Sequence, residues 1–136
     1  MAAPQLAFTS LDGQPRSFAT LRGAPVVVVV WKASCAPCLA ELRHLDQVAA
    51  RAPKWRFVTL ALDDRRTAVQ MLPRNARVAD AWVARDEATV VLKALNPAQP
   101  ALPLTVALDR SGRICARRVG LLGSDLLRAW STKCSK

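Results

Sequence analysis

The sequence predicts an α/β fold: a central sheet, mixed in strand direction, covered by helices on both faces. Three observations lead there. Val26 to Val30 are five valines in a row, a β-branched run without alternation that marks a strand buried on both faces. From Cys35 onward Leu39, Leu42, Leu45, Val48 and Ala49 recur at spacings of three and four, the period of a helix packed along one side. Strand-like and helix-like stretches alternate early in the chain, and a hairpin with a closing helix comes late.

Taken in order, Gln5 to Ser10 reads as a short strand. Leu11-Asp12-Gly13-Gln14-Pro15 supplies the residues of a turn, and Ser17 to Leu21 returns as its partner. Arg22-Gly23-Ala24-Pro25 breaks the chain before the valine strand. The helix from Cys35 runs to about Arg51, with Pro37 in its first turn where proline is tolerated. Trp55 to Leu62 is a second strand ended by Asp63-Asp64, and Thr67 to Leu72 a weaker helix stopped near Pro73. Ala81 to Ala84 is a short strand, Ala88 to Leu95 a helix, and Asn96 to Pro100 a loop. Leu104 to Leu108 and Arg113 to Val119 are strands joined by the turn Asp109-Arg110-Ser111-Gly112. Ser124-Asp125 caps a final helix carrying Leu126, Leu127 and Trp130.

A chain of 136 residues holds one domain with a real core, spanning 1–136. The longest apolar stretch, Ala24 to Trp31, contains a proline and falls far short of the roughly 20 residues of a membrane helix. The start MAAPQLAFTS lacks the basic and apolar regions of a secretory signal, so the expectation is a cytosolic protein or one whose leader or anchor was removed. The formal charge is +10, with four basic and three acidic residues in 1–50 and sixteen and seven in the remainder. These cations are scattered singly or in pairs, without a basic run, an RNA motif or zinc-finger spacing, so no nucleic-acid partner is expected.

The segment WKASCAPC, residues 31 to 38, carries the chemistry. A strand that turns into a helix puts Cys35 at the helix N-terminus, where unpaired N–H groups and the macrodipole favour a thiolate. Cys35 is the expected nucleophile. Cys38, one turn further in, is better covered and is the expected resolving thiol. A zinc site needs further ligands at compatible spacing. Cys115 and Cys134 are isolated, and the single histidine, His44, lies six residues beyond Cys38 on the same helix. The redox couple is the better reading.

Phe8 to Leu42, with Asp12-Gly13, Leu21-Arg22-Gly23, the valine strand, Trp31 and Cys35-Ala36-Pro37-Cys38, closely resembles the TlpA/ResA branch of thioredoxin-like proteins. Leu102-Pro103, Asp109 to Ile114 and Gly120 extend the likeness, while residues 64 to 98 match in outline only. The resemblance implies a thioredoxin-like fold with an N-terminal β-hairpin extension. It implies a periplasmic thiol–disulfide oxidoreductase, soluble or membrane-anchored, a reductant of the cytochrome c maturation or copper-site assembly type. Protein substrates with disulfides or thiols and a membrane-bound electron donor accompany that role, and a monomer without a cofactor is expected.

Carried over residue by residue, Pro103 matches the family's cis-proline, which with Leu102, Trp31, Ala36 and Pro37 borders the groove where a substrate backbone docks. Glu41 matches an acid of ResA-type members that moves protons to and from the cysteines. As a residue it reads equally as a solvated glutamate on the helix surface. Departures are Val29, where thioredoxin has a buried aspartate, Ser34, where many relatives have tryptophan, and Leu104, where threonine is common.

Cys115 lies early in the last strand and Cys134 at the end of the last helix. A strand of about five residues out and a helix of about ten back bring the two near each other. A structural disulfide and two separate thiols both remain open readings. The competing function is a copper(I)-binding or delivery module of the same fold, since thiolates suit a soft ion. Met71 and His44 stand apart from the pair, and copper-delivery relatives usually carry CxxxC.

Overall fold

The computed structural model describes residues 5–135. Met1 to Pro4, part of the stretch read for a leader, and Lys136 lie outside the described residues. The strands are β1 (Phe8–Ser10), β2 (Pro15–Arg16), β3 (Val26–Trp31), β4 (Arg56–Ala61), β5 (Asp80–Ala84), β6 (Leu104–Leu108) and β7 (Ile114–Val119). They form one sheet in the order β2-β1-β5-β4-β3-β6-β7. The helices are α1 (Ala36–Leu42), α2 (Leu45–Ala50), α3 (Arg65–Met71), α4 (Ala88–Leu95) and α5 (Ser124–Lys133).

The valine strand β3 is buried at all six positions, between β4, parallel to it, and β6, antiparallel. Its alternate residues feed two cores. Val27, Val29 and Trp31 pack with Cys38, Leu42 and Leu45 of the α1–α2 segment, Ala68 of α3, and Leu127 and Trp130 of α5. Val26, Val28 and Val30 face Phe8, Phe18, Leu21 and Trp82 together with Val91 and Leu95 of α4. Both faces of an all-valine strand need an apolar cover, which is why helices lie on each side. Among the described residues no helix is long and apolar enough to cross a membrane.

Three expectations change. The return strand over Ser17 to Leu21 is instead a 3-10 turn, Phe18–Leu21, and the hairpin partner is only β2. Phe18 and Leu21, three apart, are both buried, and the Phe18 ring meets Phe8 at 4.9 Å. A strand would send residues at this odd spacing to opposite faces. The helix expected from Cys35 to Arg51 breaks at Arg43–His44. There the His44 N–H donates to the Glu41 carbonyl, a tighter i→i+3 bond that ends α1. Leu42 and Leu45, on either side of the break, are both fully buried. Finally, Gly123 rather than Ser124-Asp125 stands at the α5 N-cap, in extended conformation and without a side-chain bond. At α3 the Asp64 carboxylate does cap, accepting the Thr67 N–H at 2.8 Å.

Candidate functional site

The site lies where β3 leaves the sheet. Parallel pairing of Trp31 with Ala61 brings the next residues of the two strands side by side. The Asp63 carboxylate accepts the Ala33 N–H at 2.7 Å, while the Cys35 N–H donates to the Lys32 carbonyl at 3.0 Å. These bonds fold residues 32–34 tightly over the strand end. Cys35 becomes the N-cap of α1, with Pro37 in the first turn. The Cys38 N–H points at Cys35 Sγ, 3.2 Å away, so a free backbone donor of the first turn is directed at the sulfur.

Cys35 and Cys38 are joined as a disulfide, Cα to Cα 5.2 Å. Cys35 is half-buried, whereas Cys38 is 1% exposed and packs in the core with Trp31 and Leu42. One sulfur of the pair is open to attack from solution and the other is not. Ala36 and Pro37 are exposed on the outside of the turn. Trp31 is 1% exposed, closed beneath the couple. Its indole packs with Cys38 and Leu42 on the core side of the couple.

The Leu102–Pro103 bond is cis. Antiparallel pairing of Leu104 with Val30 sets Pro103 level with the end of β3, and the Gly120 N–H donates to the Pro103 carbonyl at 2.9 Å. Gly120 has φ +122°, a left-handed conformation that an L side chain resists. Leu102 is half-buried and touches both cores.

Glu41 is not on the helix surface. It is 7% exposed, one turn beyond Cys38, and its Oε1 accepts the Leu122 N–H at 2.9 Å. Among the described residues Oε2 and the hydroxyl of Thr105 lack a partner at full hydrogen-bond geometry, although the hydroxyl lies close enough to act on the Glu41 carboxyl. Burial drives the Glu41 carboxyl from the usual 4.5 up to about 7. The Leu122 N–H and the nearby Thr105 hydroxyl oppose the shift without cancelling it. Val29 pairs with Thr59 on one side and Thr105 on the other, so the position that holds an aspartate in thioredoxin is here an apolar residue between two buried threonines.

Asp63, Thr105 and Leu122 escaped the sequence reading as parts of the site. An aspartate two residues past the strand next to the motif strand was a usable signal for Asp63. Leu122 acts through its backbone, 81 residues from Glu41, and no side-chain pattern announces it.

Cys115 and Cys134 form the second disulfide, Cα to Cα 5.5 Å, tying the start of β7 to the end of α5. His44 is exposed at the α1–α2 break, and Met71 is exposed on α3. Among the described residues no three of His, Cys, Asp and Glu converge as a metal-binding group, so the geometry adds nothing to the copper reading. The arrangement is a thiol–disulfide couple, with one accessible sulfur, one covered sulfur and a buried acid whose protonation changes near neutral pH.

Comparison with known proteins places this geometry. A family model described as Redoxin matches residues 1–125. The soluble secreted antigen MPT53 of Mycobacterium tuberculosis and of Mycobacterium bovis is 42% identical over 57 residues, 42% of this chain and 33% of that protein. The chain thus spans about a third of the length of the curated relatives it matches. Among solved structures, MTB dsbF in its mixed oxidized and reduced forms is 25% identical with a TM-score of 0.73, over 94% of this chain and 93% of that one. A secreted Mycobacterium tuberculosis disulfide oxidoreductase homologous to E. coli DsbE is 26% identical with a TM-score of 0.68, over 96% and 95%. The architecture is the thioredoxin-like one, a mixed sheet between helices with an N-terminal hairpin at its edge.

Proposed function

Because the chain belongs to the Redoxin family, we propose that it is a thiol–disulfide oxidoreductase of the TlpA/ResA type, acting on proteins outside the cytoplasm as one thioredoxin-like domain. The observation that carries this reading is the asymmetric couple: half-buried Cys35 at the N-cap of α1, bonded to buried Cys38, with the Glu41 carboxyl one turn further on.

In the reducing direction both cysteines begin as thiols. Cys35 loses its proton to solvent, favoured by the first-turn N–H aimed at its sulfur. The thiolate attacks one sulfur of a protein disulfide. A Cys35–substrate disulfide forms, and the substrate's other sulfur leaves as a thiolate that takes up a proton. Cys38 then gives its proton to ionised Glu41 and attacks Cys35 Sγ. The second substrate thiolate leaves and takes up a proton, from Glu41 or solvent, and the Cys35–Cys38 disulfide seen here remains. Substrate gains two electrons and two protons in total, and the couple loses them.

An acid near neutrality suits the second step. Glu41 is charged often enough to accept the Cys38 proton and protonated often enough to return it when the disulfide is reduced again. Pro103 lies level with the couple, and with Leu102, Ala36 and Pro37 it borders the place for an extended substrate segment. The secreted relatives support a site of action outside the cytoplasm. A reductant role, in cytochrome c maturation or copper-site assembly with a membrane-bound donor, follows from the TlpA/ResA likeness.

The test is Cys38→Ala, which leaves Cys35 free and removes the resolving thiol. Expressed in an exporting bacterium, the variant should accumulate covalent adducts that disappear on adding dithiothreitol, and it should lose insulin reduction. Absence of adducts together with unchanged turnover would sink the reading.

A further inference from the structure

Several cations that are scattered in sequence stand together at one end of the molecule. Val26, Arg56 and Leu108 stand in one row at the end of the sheet opposite the couple. Arg22 precedes β3, Lys54 precedes β4, Arg77 precedes β5, Arg110 follows β6, and Arg51 follows α2, whose N-terminus continues from the couple's end. The Gly23 N–H donates to the Arg110 carbonyl, so the Arg22 and Arg110 segments meet, and Arg51 and Lys54 line one shallow cleft with Trp55 and Arg128. Arg22, Arg51, Lys54, Arg77 and Arg110 are all exposed, and none forms a salt bridge among the described residues.

The carboxylates of this end are engaged within the protein. Asp80 pairs with Arg56 at 2.7 Å, Asp46 accepts from Asn75, and Asp109 is buried, accepting from Ser111 and Arg113. The couple's end is different: Asp63, Asp64, Asp86 and Glu87 share one cleft there with Arg65 and Arg85. Lys32, Arg66 and Arg118 lie on that side as well, so the couple's end mixes both signs, whereas Arg22, Arg51, Lys54, Arg77 and Arg110 of the opposite end stand without ion-pair partners among the described residues.

The basic end has a second property. Met71, closing α3, and Val78, preceding β5, are 43% and 58% exposed, and they flank the loop that holds Arg77. Cations from many segments, spread without a deep cleft and mixed with exposed aliphatic side chains, match a planar anionic surface with an apolar interior. Among the described residues no aromatic ring is in the exposed large apolar set, so this face presents no stacking platform there. We propose that this end docks on an anionic phospholipid surface, with Met71 and Val78 at the headgroup boundary. The couple, about 20 Å away along the length of β3, then points into the aqueous phase. The inference rests on charge and exposure alone, so it stands or falls separately from the redox chemistry.

The test is sedimentation of the intact chain with vesicles of phosphatidylglycerol mixed with phosphatidylcholine, against phosphatidylcholine alone, at low and high salt. Binding is expected only to the mixed vesicles and only at low salt. The triple variant Arg22→Gln, Arg77→Gln, Arg110→Gln should lose about a hundredfold in partition, roughly fivefold per basic residue. The control Arg65→Gln, Arg66→Gln, Arg85→Gln removes the same charge from the couple's end and should lose far less. These positions are exposed, and matched circular dichroism checks that each variant is folded. Equal losses in the two triples would mean that net charge and not an oriented face drives binding. That result, no binding to mixed vesicles, or binding to soluble polyglutamate instead, overturns the proposal.

Discussion

Replacing Glu41 by glutamine should change how the protein's stability responds to pH. A carboxyl raised from 4.5 to about 7 stays protonated in the folded chain over a range in which the unfolded chain releases its proton. The sign follows: the unfolded state binds fewer protons there, so folding stability falls as pH rises. The contribution is complete below pH 4.5, declines through the interval and is gone above about 7. The loss amounts to about 3 kcal/mol, at about 1.4 kcal/mol for each pH unit between the two values. Glutamine matches the shape, keeps an acceptor for the Leu122 N–H and cannot ionise. Urea unfolding of the disulfide-intact protein, followed across this pH range, reads the effect directly. The variant should gain about 3 kcal/mol on the parent between the acid and alkaline ends of the range. A difference between the two proteins that stays constant with pH would refute the burial argument, whatever its size.

Other perturbations follow from the same geometry. Thr105→Val removes the hydroxyl that opposes the shift, so a carbon-13 titration of the Glu41 carboxyl should move to higher pH, and a move to lower pH would contradict the assignment. Joint replacement Cys115→Ala and Cys134→Ala opens a link across 19 residues and should cost about 3 kcal/mol in urea unfolding, while an unchanged midpoint would count against a stabilising bridge. Gly120→Ala places a side chain at φ +122° and should cost about 1 kcal/mol or more, read in the same assay. Leu42→Ala empties a fully buried position between α1 and β3, with a thermal-melt loss corresponding to about 2–5 kcal/mol.

Much of the site's frame was legible because it is set by near neighbours. Five valines in a row cannot face water on either side, so β3 and its position in the sheet follow from the run itself. The shift from that run to a helical period after Cys35 is equally local. The end of the helix was not legible, since Leu42 and Leu45 fit a continuous helix and a broken one alike. Phe18 and Leu21 were misread for a similar reason. Their burial depends on Phe8 and on the distant Trp82, and a short apolar stretch does not reveal whether it pairs or packs.

By itself the sequence determined the couple: two cysteines separated by a proline-containing turn, leaving a buried strand and entering a helix that directs its N–H groups at the first sulfur. Tertiary structure alone decided what surrounds that couple. Glu41 reads as solvated or buried depending on Leu122, 81 residues away. Trp31 is buried because helix residues such as Cys38 and Leu42 pack in the same cluster. Cys115 meets Cys134, and Arg22, Arg56 and Arg110 share one end of the sheet, because crossovers and strand order return separate segments to the same place. Local chemistry depends on residues a turn apart. Burial, proton affinity and surface charge depend on which distant residues the fold brings together, and one-dimensional spacing does not carry that information.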